Sequence, residues 1–290
     1  MQRLQRRRFR DEAELSLVGF GGLLLAPMPQ DQTNALVAWA LERGVNYFDV
    51  GPSYPVRETG LCEKKLGIAL AGRREEAFLA CKTTQRTAAG AAREFDESLQ
   101  RLRTDRFDLY QLHGVNTVQE VQAILAPEGA AKVLLEEKAR GRCRYIGMSV
   151  HSEPAALTLM DALPLDSVMF AVNAVCLNRN GFGRRILDKA TEKNLARLAI
   201  KTLARRPYAP GEKWKYPYCW YLPYDQPEQA RAALYYTLSE DITAAIAPAD
   251  AGLFRLCVEL ALDYKPLSPQ EKAAFRMAPS DQPIFQSAGR

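Results

Sequence analysis

No apolar stretch of about 18 residues occurs in the chain, so a membrane-spanning helix is not expected. Histidine is scarce: only His113 and His151 occur, with no H-x-H pair, which leaves a metal-dependent barrel hydrolase short of ligands, and no metal site is expected. The six cysteines include no C-x-x-C pair and no histidine partner at zinc spacing. Several lie inside apolar runs, where a free thiol behaves as a small hydrophobe. A reducing compartment, the cytoplasm, is the expected location. The stretch MQRLQRRRFRDEAELS is basic but lacks the apolar core of a secretory signal, and Asp11, Glu12 and Glu14 argue against a transit peptide. It reads as a charged surface segment ahead of the first strand. Arg6, Arg7, Arg8 and Arg10 form the densest basic run, too short and solitary to predict a nucleic-acid surface at a net charge of +5.

What the chain has in quantity is apolar sequence, 47% of its residues, cut into short runs that each precede a helical pattern. The strand candidates are LSLVGFGG from Leu15, VNYFDV from Val45, AFLACKT from Ala77 and FDLYQLH from Phe107. They continue with CRYIGMSV from Cys143, SVMFAVN from Ser167, LARLAIKT from Leu195 and ITAAIAP from Ile242. Near-continuous apolarity suits strands buried on both faces of a parallel sheet. Between them, Phe95, Leu99 and Leu102 recur at helical spacing, as do Leu253, Leu256, Cys257 and Leu260. Eight such alternations predict an α/β protein, a single (β/α)8 TIM barrel with its active site at the C-terminal face. A doubly wound sheet would want a glycine-rich fingerprint after the first strand, and GFGGLLL lacks its third glycine and helix start. No linker divides the chain, so residues 1–290 read as one domain, with a core from about 15 to about 265 and an irregular tail after Pro266.

One connection is unusually long and aromatic. ARRPYAPGEKWKYPYCWYLPYDQP, Ala204 to Pro227, holds five prolines and seven aromatic residues. Long loops in compact domains are functional or disordered, and this aromatic density speaks against disorder. It is expected to overhang the C-terminal face as a substrate or cofactor lid, with packing at the barrel rim as the plainer alternative.

Ionisable residues mark the strand ends. The second run ends at Asp49, with Tyr54 in the loop beyond, the third at Lys82 and the fourth at His113. His151 follows the fifth. Taken singly, each has an ordinary reading: a turn aspartate, a strand-end lysine, a packed histidine, a structural tyrosine. Together they converge on one barrel mouth.

The order Asp49, Tyr54, Lys82, His113 resembles the aldo-keto reductase superfamily, in its bacterial type. The likeness extends through GFGG, NYFDVGPSY, RLRTDRFDLYQLHG, RCRYIGMSVHS, VMFAVNA and LALDYKPLSPQE. It implies an NAD(P)H-dependent oxidoreductase that reduces an aldehyde or ketone to an alcohol, with Asp49, Tyr54, Lys82 and His113 as a catalytic tetrad. Tyrosine, with a reference pKa of roughly 10, is a poor acid at neutral pH. A cationic Lys82 beside it, held by Asp49, is expected to lower that pKa, and His113 to orient the carbonyl. The resemblance also assigns the cofactor to Gly21, Gly22, Asp49, Ser149, Asn173, Lys201, Arg205 and Arg255. Ser149 and Asn173 would meet the nicotinamide carboxamide. Lys201-Thr202 stands where many members carry a stacking aromatic, Arg205 and Arg206 would reach the pyrophosphate, and Arg255 the 2′-phosphate. NADPH is the expected cofactor and NADH the alternative. Asp250, which would repel that phosphate, is expected instead to cap the last helix. The expected partner is a small-molecule carbonyl substrate, with no nucleic acid and no membrane. The competing reading is a non-catalytic dinucleotide-binding barrel acting as a sensor or regulatory subunit.

Overall fold

The computed structural model describes residues 2–10, 13–55 and 57–286. Among the described residues twelve strands form in chain order: β1 (Arg6–Arg10), β2 (Ala13–Ser16), β3 (Val18–Gly21), β4 (Tyr47–Asp49), β5 (Phe78–Thr83), β6 (Phe107–Val115), β7 (Cys143–Val150), β8 (Ser167–Ala171), β9 (Ala196–Ile200), β10 (Ala204–Pro207), β11 (Tyr221–Pro223) and β12 (Ala244–Ile246). Eight of them, one from each apolar run, pair in parallel and close on themselves in the order β12-β3-β4-β5-β6-β7-β8-β9. The barrel and its chain order are those expected.

Helices α1 (Gln30–Glu42), α2 (Leu61–Ala69), α3 (Ala88–Leu102), α4 (Val118–Leu125), α5 (Ala130–Ala139), α6 (Glu153–Ala162), α7 (Ala174–Arg179), α8 (Arg184–Glu192), α9 (Pro227–Leu238), α10 (Ala251–Leu262) and α11 (Pro269–Ala273) complete the chain. Their starts are written in the sequence. Thr117 and Glu120 form a capping box on α4, and Asp250 accepts the Leu253 amide at 2.9 Å, so it caps α10 as expected. Among the described residues no helix is long and apolar enough to cross a membrane.

Strand side chains alternate between two cores. Outward residues such as Phe48, Leu79, Cys81 and Tyr110 pack beneath the helices. Inward residues such as Tyr47, Ala80, Leu109, Tyr145 and Met169 fill the barrel as a second cluster. Phe9 belongs to that inner cluster, with its ring 5.1 Å from Phe78 and 4.9 Å from Tyr145.

The N-terminus therefore corrects the sequence reading. The basic run is strand β1, paired antiparallel with β2, and this hairpin plugs the bottom of the barrel. Burying Phe9 is worth about 1.5–3 kcal/mol. Arg7 donates to the carbonyls of Ile242 and Leu238, which ties the hairpin to the wall. Asp11 and Glu12, which the sequence reading used, lie outside the described residues. The first apolar run is also split, because Leu15 belongs to β2 and the barrel strand begins at Val18.

The tail after Pro266 has one short helix, α11, and is otherwise without regular structure, yet it is pinned in place. Ser268 and Glu271 form a capping box on α11, and Asp281 is buried, accepting from Arg205 Nε at 2.6 Å and Tyr224 Oη at 2.7 Å. Phe285 then stacks on His151, with ring centroids 4.8 Å apart. The segment from Pro269 to Phe285 is a strap held by long-range polar contacts rather than by helical periodicity. Residues 287–290 lie outside the described part.

Candidate active site at the barrel mouth

Strand alternation builds the site one layer at a time. Tyr47, Ala80 and Leu109 face inward, so Asp49, Lys82 and Gln111, two residues further along each strand, also face inward and nearer the C-terminal end. The register agrees: Asp49 is opposite Ala80, and Lys82 opposite Gln111. His113 stands one layer higher. Beyond β4 the chain turns through Gly51–Tyr54, closed by the Tyr54 amide donating to the Gly51 carbonyl at 3.2 Å, and this carries Tyr54 back over the mouth.

Lys82 is fully buried and ion-paired with Asp49 Oδ1, while Asp49 Oδ2 accepts from Gln111 Nε2 at 3.0 Å and from Tyr47 Oη at 3.3 Å. Such a pair is tolerated in a low dielectric because the remaining lone pairs are satisfied. Lys82 Nζ lies 5.2 Å from the centre of the Tyr54 ring. Tyr54 Oη and His113 Nε2 face each other at 3.5 Å, and Ser53 Oγ faces His113 Nδ1 at 3.4 Å.

Electrostatics follows from this packing. Burial works against a charged Lys82, but Asp49 and then Tyr54 outweigh it, and the pKa lies above the usual lysine value. Burial pushes the Tyr54 hydroxyl up, Lys82 pulls it down, and burial prevails. The expected depression of the tyrosine pKa is therefore not the net result. Tyr54 stays protonated at neutral pH, and the lysine reduces the cost of its phenolate without making it the ground state. His113 is held well below its usual value by burial and by Lys82, so its ring is neutral. His151 falls to about 4 through burial and Lys201.

These groups open into a cavity of 240 Å³, lined among others by Gly21, Asp49, Tyr54, His113, Ser149 and Lys201. The aromatic connection roofs it: β10 and β11 form an antiparallel hairpin, and Tyr218, Cys219, Trp220 and Tyr221 face the cavity. Its expected position over the C-terminal face is thus observed. A larger cavity, 570 Å³, lies between α9 and the tail strap, lined in part by Arg205, Tyr224, Phe275 and Asp281. It holds none of the four tetrad residues, so its size carries no chemistry.

Of the other residues singled out by sequence, Gly21, Asp49, Ser149 and Lys201 reach the smaller cavity. Gly22 does not: a Cβ there would lie 2.7 Å from Val50 Cγ2, so the glycine serves packing. Asn173 caps α7 through the Cys176 amide at 2.9 Å and donates to the Lys201 carbonyl at 3.2 Å. Arg205 pairs with Asp281, and Arg206 with Glu212 at 2.7 Å. Arg255 is exposed, its guanidinium 4.4 Å from the centre of the Trp39 ring. Gln111 was missed, although its position two residues before His113 in YQLHG is a usable signal. Among the described residues no three His, Cys, Asp or Glu side chains gather as a metal site.

A closed parallel barrel with a buried Asp–Lys pair beneath a tyrosine and a neutral histidine defines a class, a barrel whose mouth is equipped to move a proton. The model of the aldo/keto reductase family matches residues 17–211, and the chain belongs to that family. Aldo-keto reductase YhdN of Bacillus subtilis (strain 168) is 26% identical over 197 residues, 64% of this chain and 56% of that protein. L-galactose dehydrogenase of Arabidopsis thaliana is 29% identical over 175 residues, 56% of this chain and 49% of that protein. The chain spans about half the length of the curated relatives it matches. Among solved structures, the holo form of aldo-keto reductase AKR11C1 from Bacillus halodurans matches with a TM-score of 0.73 at 24% identity, covering 94% of this chain and 95% of that one, a likeness of fold.

Proposed function

We propose that this chain is an oxidoreductase that reduces the carbonyl of a small aldehyde or ketone to an alcohol, using NADPH, with NADH as the alternative. The observation that carries the reading is Tyr54, protonated, beside a buried Lys82 that Asp49 holds cationic, with its hydroxyl at a cavity shared with His113.

The residues at the mouth fit a nicotinamide amide. Ser149 is almost fully buried and lines the cavity, and its hydroxyl can serve as donor and acceptor. Gly21 leaves the wall open where a Cβ would come 3.0 Å from Ile246 Cγ2. When bound, the reduced dinucleotide supplies the hydride. The chain's own part is the proton. Negative charge grows on the carbonyl oxygen, Tyr54 Oη gives its proton to that oxygen, and the Tyr54 phenolate left behind is stabilised by Lys82. His113, neutral, orients the oxygen through Nε2. In the reverse direction the phenolate takes the alcohol proton. Gly21, Asp49, Ser149 and Arg255 are the contacts we assign to the dinucleotide, the last to the 2′-phosphate.

The test is oxidation of NADPH and of NADH on addition of a panel of aldehydes, ketones and quinones, alongside quenching of tryptophan fluorescence by each cofactor. Turnover with at least one substrate is expected. Tight cofactor binding without any turnover would leave the sensor reading in its place.

A further inference from the structure

The ion pair beneath Tyr54 has a support that takes no part in the proton transfer itself. β5 lies between β4 and β6 in the barrel, so Asp49 and Gln111 flank Lys82 from either side. The Gln111 amide reaches across to donate to Asp49 Oδ2 at 3.0 Å. Tyr47, two residues before Asp49 on the same inward face, donates to that oxygen at 3.3 Å. Oδ1 is left to Lys82. The two carboxylate oxygens are therefore divided, one to the ammonium and one to two neutral donors.

Gln111 is a costly way to fill this layer. It is fully buried, and its Oε1 has no hydrogen-bond partner among the described residues, which is unfavourable for a buried carbonyl. A methionine would occupy similar space without that cost. Reversing the amide brings no relief, because Oε1 would then face the Asp49 carboxylate. Tyr47 is fully buried too, and burial and Asp49 push its hydroxyl well above the usual tyrosine range, so it stays a neutral donor. What the two donors control is the field at Tyr54. There, after burial, Lys82 pulls the hydroxyl down and Asp49 pushes it up. Without the donors the carboxylate keeps more of its charge toward the phenol and is free to turn off the ammonium, and both changes disfavour the phenolate. No neighbour takes their place. Cys81, Cys219, Tyr221, His113 and His151 are held neutral by burial, and Lys201 is a further cation.

We propose that Gln111 and Tyr47 are positioning residues for the proton transfer. By holding Asp49 Oδ2 they fix Oδ1 on Lys82, and so keep the ammonium where it stabilises the Tyr54 phenolate. This rests on the reductase reading. Neither residue touches the reacting atoms, and their effect reaches the substrate only through Asp49, Lys82 and Tyr54 in turn.

The experiment uses Tyr47→Phe and Gln111→Met, which remove one donor each and keep the volume, so that either decides should the other fail to fold. Reduction of an aldehyde that the native protein accepts, and oxidation of the matching alcohol, are followed across pH. In each variant kcat is expected to fall about 3- to 30-fold with KM little changed, a part of the worth of one charged hydrogen bond. The limb of the oxidation profile that reports Tyr54 is expected to move to higher pH, since losing a donor leaves the Asp49 charge less offset at the phenol. A fall in kcat with that limb unmoved would mean that the two residues only pack, and overturns the proposal. So does a native kcat, or a change confined to KM. Should the native protein turn over no aldehyde, the reductase reading is at fault, and the ionisation of Tyr54 decides the positioning alone. It is read as the ultraviolet tyrosinate absorbance of each protein minus that of its Tyr54→Phe counterpart. A midpoint raised in the variants supports the proposal, and an unchanged midpoint overturns it.

Discussion

At the scale of the residue, the site is a single buried ion pair with a phenol above it. The sequence placed Asp49, Lys82 and His113 correctly because each closes an apolar run, and a strand end in a barrel is a position in space. It misjudged the acidity of Tyr54, since an adjacent cation is visible in the order of residues while full burial is not. Replacing Lys82 by methionine strands the Asp49 carboxylate against only Gln111 and Tyr47. A loss of about 3–5 kcal/mol in urea unfolding is expected, much of it restored by adding Asp49→Asn. Equal stability of the native protein and Lys82→Met would show that the pair is not held as described. At the adenosine end, Arg255→Ala is expected to weaken NADPH about tenfold or more while NADH changes little, the difference due to one charged contact. Equal losses for the two cofactors, measured by fluorescence titration, would remove Arg255 from the phosphate.

At the scale of the element, starts and stops were legible where the chemistry is local. Asp250 precedes its helix in the manner of a cap, and the structure uses it so. The tail was not legible, because what orders it is distant in sequence: Arg205 and Tyr224 reach Asp281 across 76 and 57 positions. The N-terminal hairpin escaped for a similar reason, since one buried Phe9 among arginines has no periodic signature until the barrel below it exists. The strap supports the site through Phe285 on His151. Asp281→Ala leaves three donors, Arg205 Nε, Tyr224 Oη and the Ala278 amide, without their acceptor and is expected to make tryptic cleavage at the exposed Arg276 much faster. Unaltered cleavage kinetics would show that Asp281 does not anchor the strap.

At the scale of the whole molecule, eight short apolar runs were enough to indicate a closed parallel barrel, because strands buried on both faces leave few alternatives. The overhang of the long aromatic connection was legible too, but not that it folds as the β10–β11 hairpin and leaves a mouth of 240 Å³. Both histidines lie in that mouth and are held neutral, which gives the fold an acid-side weakness. His151 has a folded pKa of about 4 against 6.5 unfolded, so the unfolded chain binds more protons below pH 6.5 and stability falls as pH drops from there. His113 acts in the same direction. Each contributes a slope approaching about 1.4 kcal/mol per pH unit once the unfolded histidine is charged. The urea midpoint is expected to decline between pH 7 and pH 5.5, and less steeply in His151→Phe. A flat profile in the native protein would contradict the neutral, buried state of both rings.

The central claim is that Tyr54 delivers the proton, and the most direct measurement is turnover of Tyr54→Phe with saturating cofactor, on any aldehyde the native protein reduces. The account expects kcat to fall by about 10²- to 10⁴-fold with cofactor affinity retained. Undiminished turnover in that variant would contradict it.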